Sequence, residues 1–289
     1  MFNESQYLKD RRDDSAGLVH TFCMDFYPAQ GLTLGFSVMD GELDATTGRV
    51  DRRAYSVNGG RTDANTQWTS KLEYRRDEGA EDRRQWVTTN RLLYKVNEDW
   101  RIALRANYAD TDDKRNPLAD AKLVESNLGF AWRPHDNTRW AAFCKYTYLY
   151  DVASLGQEGG NVYDQKSQIV SFEGVVQLGG KWEMAGKLAG RWGDYRTGRG
   201  EGPWLDSRVN FSALQLRYRL FSQWEAMGEY RWLDVREGGD KKGWLVGVDR
   251  QVGQNFKIGA GYNFTDFSDD LTELRYEAKG FFLNLSGYY

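Results

Sequence analysis

The chain has 289 residues, a formal net charge of −3, a mean hydropathy of −0.72, and 28% charged beside 15% aromatic residues. That length suits one large domain or two ordinary ones. The near-neutral charge makes no case for nucleic-acid binding, and no stretch approaches the roughly 18 apolar residues of a membrane helix.

From the N-terminus, residues 2–12 alternate only weakly between apolar and polar. Clearer strands are predicted at 17–27, 31–41, 49–57, 66–77, 83–96, 100–110, 121–133 and 139–151. The series continues at 165–178, 182–195, 206–220, 224–236, 243–252, 256–266 and 279–289. With 2–12 included the sum is sixteen, an even number as single-chain bacterial barrels favour. Residues 42–65 are the hardest to divide, and fourteen strands is the alternative if a pair there is misread. In WRIALRANYAD, Trp100, Ile102, Leu104, Ala106 and Tyr108 share one face while Arg101, Arg105 and Asn107 share the other. RWAAFCKYTYLYD and FKIGAGYNFTD repeat the same period of two, which helical spacing does not explain.

Short turns at 28–31, 97–99, 135–138, 178–181, 222–223 and 253–255 alternate with longer polar connections at 110–120, 152–163, 196–203, 238–242 and 266–278. A barrel with tight turns at one rim and loops at the other has this rhythm. Tryptophans mark the strand ends: Trp100, Trp132, Trp140, Trp182 and Trp224 beside the short turns, Trp192 and Trp232 toward the long loops. Two aromatic girdles around an apolar band indicate strands set in lipid, whereas a soluble sandwich has no reason to place rings at both ends. The fold expected is all-β, a transmembrane antiparallel up-and-down β-barrel formed by a single domain over 1–289. Closure satisfies every backbone group in hydrocarbon, so the last strand is expected to pair with the first.

The polar phase of the strands faces the lumen. It carries Arg91, Lys95, Arg101, Arg105, Lys145, Lys187, Arg191, Arg217, Arg219 and Arg231, with Glu173 and Glu229 among the opposing acids. The cations outnumber the carboxylates, which points to mild anion preference in an open lumen. For most individual residues the plainer reading is a cross-strand ladder of ion pairs.

Chemistry beyond this is thin. His20 takes the outward phase and His135 lies in a turn, and neither makes an evident dyad. No catalytic residue, metal site or cofactor is assigned. The carboxylates Asp110, Asp112, Asp113, Asp266, Asp269 and Asp270 read as solvated loop residues rather than calcium ligands. Cys23 and Cys144 stand on opposite faces of distant strands and make no disulfide framework. The charged start MFNESQYLKDRRDD carries no signal peptide. A cytosolic chain, a mature form, a fragment or a recombinant chain with an added Met all fit it.

The terminal strip KGFFLNLSGYY sets Phe281, Leu283, Leu285 and Tyr289 on one face. It resembles the C-terminal assembly signal of outer-membrane barrels, with Gly287 where a hydrophobe is often preferred. KLEYRRDEGAEDRRQW (71–86), KYTYLYD (145–151) and GYNFTDFSDDLTELRYEAKGFFLNLSGYY (261–289) together resemble the C-terminal barrel of large repeat-containing surface proteins of Gram-negative bacteria. The resemblance runs from about residue 66 to the end. It implies the bacterial outer membrane, a role as anchor or conduit for an attached region, and no catalytic residues.

The expected function is a membrane anchor or passive pore with a polar, mildly cationic lumen. A translocator for an attached or partner protein is the alternative, and an outer-membrane hydrolase a more distant one. The expected partners are outer-membrane lipid, the barrel assembly machinery and small polar or anionic solutes, with no nucleic acid and a monomeric state.

Overall fold

The computed structural model describes residues 2–10, 15–45, 48–115, 120–137, 139–152, 163–197, 202–221, 223–236, 238–253, 255–272 and 279–287. Its strands are β1 (Phe2–Asp10), β2 (Ser15–Ala29), β3 (Leu32–Ala45), β4 (Gly48–Thr62), β5 (Thr66–Gly79), β6 (Arg83–Lys95), β7 (Trp100–Asp113) and β8 (Ala121–Trp132). They continue as β9 (Trp140–Val152), β10 (Tyr163–Gly179), β11 (Trp182–Thr197), β12 (Leu205–Phe221), β13 (Trp224–Val235), β14 (Gly239–Val252), β15 (Phe256–Asn263) and β16 (Gly280–Gly287). All sixteen form one antiparallel sheet in which each strand pairs with its neighbour in sequence.

The period of two sets this architecture. Side chains alternate across a strand, so each ladder has an apolar outer face and a polar inner one. Phe172 and Leu188 pair on the outer face, and both remain exposed. Small residues such as Gly174 and Gly186 fill the gaps between them. A lipid face needs large apolar groups where a soluble core would bury them.

The rims differ. On the short-turn rim, side-chain caps close the hairpins. The Asn65 and Thr66 amides donate to Asp63 Oδ1 at 3.0 and 2.8 Å, and the Asp99 and Trp100 amides donate to Asn97 Oδ1 at 2.9 and 2.8 Å. These are the local bonds by which Asp and Asn favour turns. Three register shifts, between Phe26 and Ala29, Gln177 and Gly179, and Arg219 and Phe221, lie at this rim, where bulges help a sheet bend. Gly31 has φ +73°, and a Cβ there would sit 2.1 Å from the Thr62 carbonyl oxygen, so no other residue fits.

At the opposite rim the strands run further than their hydrophobic pattern suggests. β3 and β4 pair through Leu43–Val50 and Asp44–Arg49, so the stretch expected to loop around 42–48 is mostly ladder. β14 begins at Gly239 rather than 243, with Asp240, Lys241 and Lys242 already paired to β13. Beyond the lipid both faces are wet and the apolar signal is silent, although the ladder continues. β15 stops at Asn263 rather than 266, because the chain turns inward there.

Among the described residues no ladder joins β16 to β1. The outward side chains of β16 are highly exposed, Phe281 91%, Leu283 87% and Leu285 71%, with Phe281 in edge contact with Tyr262 of β15 at 4.8 Å. In hydrocarbon both edges require a partner for their backbone groups. Tyr289, the last residue of the expected assembly signal, lies outside the described residues.

Candidate functional site: the lumen and its inward segment

The ladder registers give every strand residue a face. Trp100, Trp132, Trp140, Trp182, Trp192, Trp224 and Trp232 all take the outward phase. Trp100 and Trp132 approach with ring centroids 6.2 Å apart, and Trp182 lies 4.5 Å from Tyr218. Near the long-loop rim, Tyr74 and Trp86 come within 4.7 Å on the same face. Arg91, Lys95, Arg101, Arg105, Lys145, Glu173, Lys187, Arg191, Arg217, Arg219, Glu229 and Arg231 take the inward phase.

Within the lumen two walls behave differently. On β10–β15 the charges pair. Lys257 Nζ lies 2.5 Å from Glu225 and 3.5 Å from Asp249, and Arg217 Nη1 lies 3.3 Å from Glu183. Arg231 pairs with Glu229, which also accepts from Gln215 Nε2 at 2.8 Å. Arg219 Nε lies 3.7 Å from Glu225. This is the ladder of ion pairs that the sequence allows as the plainer reading.

The long-loop half of the same wall is covered by residues 264–272, the first part of the connection between β15 and β16. The chain bends inward directly after β15: Asn263 Oδ1 accepts from the Thr265 amide at 2.9 Å and from Thr265 Oγ1 at 2.5 Å. Gly243 leaves the room needed, since a Cβ there would meet Thr265 Cγ2 at 2.5 Å. Phe267 then stacks edge-on against Phe211 at 6.5 Å, and Leu271 joins a buried cluster with Ile169, Val209 and Leu233. Lys187 Nζ donates to Asp269 at 2.9 Å and lies 3.3 Å from Glu173. Arg191 is buried here, and its Nη2 donates to Gln165 Oε1 at 3.0 Å. It carries the inward phase without opening to a water-filled passage.

Of the carboxylates expected to be solvated here, Asp266 and Asp270 are exposed, whereas Asp269 is held by Lys187. Asp270 Oδ1 accepts from the Thr272 amide and hydroxyl at 3.0 and 2.8 Å. Asp266 lies 3.7 Å from Lys241. Burial raises the Asp269 pKa, but the hydrogen bond and charge of Lys187 outweigh it, so the net shift is down from the ordinary carboxylate value.

Among the described residues no segment covers the wall formed by β6–β9. Lys95 stands directly across the ladder from Arg101, and Arg91 from Arg105. Lys145, on β9, faces the same side. Arg91, Arg101 and Arg105 are exposed to the lumen.

One outward pairing is missed by the sequence. Ser5 Oγ lies 2.8 Å from His20 Nδ1 across the β1–β2 ladder, because weak alternation in 2–12 hides its register. Asp40 stands opposite His20 on β3, but its carboxylate accepts from Arg53 Nε at 3.3 Å.

No protein-family model matches the chain, and no curated protein does. Solved structures do. The alcaligin outer-membrane receptor FauA of Bordetella pertussis matches with a TM-score of 0.56 at 11% identity, over 99% of this chain and 57% of that one. BauA, the ferric preacinetobactin receptor of Acinetobacter baumannii, matches with a TM-score of 0.53 at 9% identity, over 90% of this chain and 53% of that one. The chain is a transmembrane β-barrel of the bacterial outer-membrane type. It spans little more than half the length of these two receptors, and at this identity the likeness is one of fold. Its lumen combines a paired wall carrying an inward segment with a second wall on which Arg91, Lys95, Arg101, Arg105 and Lys145 have no ion-pair partner among the described residues.

Proposed function

We propose that the barrel is a passive outer-membrane pore with mild anion preference, narrowed on one side by residues 264–272. The observation that carries this reading is the asymmetry of the lumen. Fixed charges on β10–β15 cancel within the wall, whereas Arg91, Lys95, Arg101, Arg105 and Lys145 on β6–β9 have no ion-pair partner among the described residues, and uncompensated charge along a wet passage biases which ions enter. The work is passage rather than a catalysed step, and a single chain supplies the whole lining.

A second reading is an anchor or conduit for an attached or partner protein, supported by the resemblance of residues 66–289 to the C-terminal barrels of repeat-containing surface proteins. The resemblance supports that role more closely than the receptor folds do. Recording from the refolded protein in planar bilayers separates the two. A pore shows stepwise conductance with a reversal potential favouring chloride over potassium. A membrane-inserted barrel that passes no current supports the anchor, and a preference for potassium overturns the anion reading.

A further inference from the structure

Six cations line the inner face of β6–β9; Arg83 pairs with Glu81 and Asp113, and Arg91, Lys95, Arg101, Arg105 and Lys145 have no ion-pair partner among the described residues. Arg91 faces Arg105 and Lys95 faces Arg101 as direct cross-strand neighbours, an arrangement of like charges that costs stability unless an anion lies between them. The nearest inward carboxylates are engaged elsewhere. Glu125 accepts from Asn107 Nδ2 at 3.2 Å and from Asn127 Nδ2 at 2.8 Å, and Glu173 lies 3.3 Å from Lys187. From the Lys95–Arg101 level to the Arg91–Arg105 level is about 14 Å along the strand, so the cations form a track rather than a point.

A recess of about 520 Å³ opens on this track, lined by the charged Arg91, Arg105 and Lys145 and by the apolar Leu93, Ala103 and Phe143. Its size is that of small-molecule sites. Phe143 packs over Gly129, where a Cβ would meet the ring at 3.2 Å, so the missing side chain makes room for an apolar floor. A purely conductive lining needs charge but no hydrocarbon surface. Charge beside an aromatic floor suits a solute having both.

We propose that this recess is a binding station for small organic anions with an apolar body. The carboxylate or phosphate sits among Arg91, Arg105 and Lys145, and the hydrocarbon part rests on Phe143 and Leu93. Guanidinium groups bind such oxyanions through paired N–H donors, which lysine alone does not do. The inference rests on the pore reading and names the solute class for it.

The test uses the refolded full chain in planar bilayers, with phenyl phosphate and inorganic phosphate as probes of the chloride current. Phenyl phosphate is expected to interrupt the current at concentrations about tenfold lower than inorganic phosphate, the ratio that a buried ring contact of about 1.4 kcal/mol provides. A triple variant, R91Q/R105Q/K145Q, should lose the block by both while still conducting. F143A should lose only the advantage of the phenyl group. Equal block by the two probes, or undiminished block in the triple variant, overturns the inference and leaves the pore standing. Without any current, saturation-transfer NMR of phenyl phosphate with the detergent-solubilised barrel decides. Ring-proton transfer abolished in the triple variant supports the station, and transfer that is absent or unchanged overturns it.

Discussion

Phe267 is the residue on which the inward segment depends most. It is 4% exposed and edge-stacked on Phe211, so Phe267→Ala empties a packed site at a cost of about 3 kcal/mol to docking. A nitroxide on Ser268→Cys should report this as a change from a broad, immobilised spectrum to a mobile one. Lys187–Asp269 contributes less, about 1 kcal/mol after allowing for solvent, because the Asp269 side chain is nearly half exposed. Its effect depends on pH with a definite sign. The docked carboxyl has a lowered pKa, so its contribution is complete above the ordinary carboxylate range and is lost as the pH falls through the docked value. The same label should therefore become mobile only in acid, below about pH 4, and D269N should weaken that dependence. A label whose mobility rises toward alkaline pH instead would contradict the pairing.

At the scale of elements, the strands were largely legible and the inward segment was not. β7, β9, β11 and β13 carry strict alternation, and their expected limits fall within a few residues of those observed. The long-loop ends of β3, β4 and β14 were hidden because there the ladder runs through water, with no apolar face to reveal it. The fate of 264–272 was hidden for a different reason. Its burial depends on Phe211, Val209 and Leu233, some thirty to sixty residues upstream, and local pattern does not record such contacts. A signal did exist in Asn263 and Thr265, the turn-forming pair at the end of β15. Similarly, the lumen cations were legible as residues, but which of them would lack partners depended on which strands lay beside which. Gly243 offers a test at this scale. Gly243→Leu has no space beside Thr265 and should displace the segment, raising single-channel conductance. Gly228→Leu on the outward face, where a Cβ meets nothing within 4 Å, should leave conductance unchanged.

For the whole molecule, a single alternation does two jobs: one phase meets acyl chains and the other a wet interior. The negative hydropathy of the chain follows, because only the outward half of each strand needs to be apolar. The most direct measurement is a cysteine scan of β7 in liposomes, with Cys23 and Cys144 first replaced by alanine, using a charged, water-soluble thiol reagent. Arg101→Cys, Ala103→Cys and Arg105→Cys should react, while Ile102→Cys and Leu104→Cys should stay protected until the lipid is dissolved. Equal labelling at all five positions, or protection that follows a period other than two, would contradict a membrane-spanning barrel.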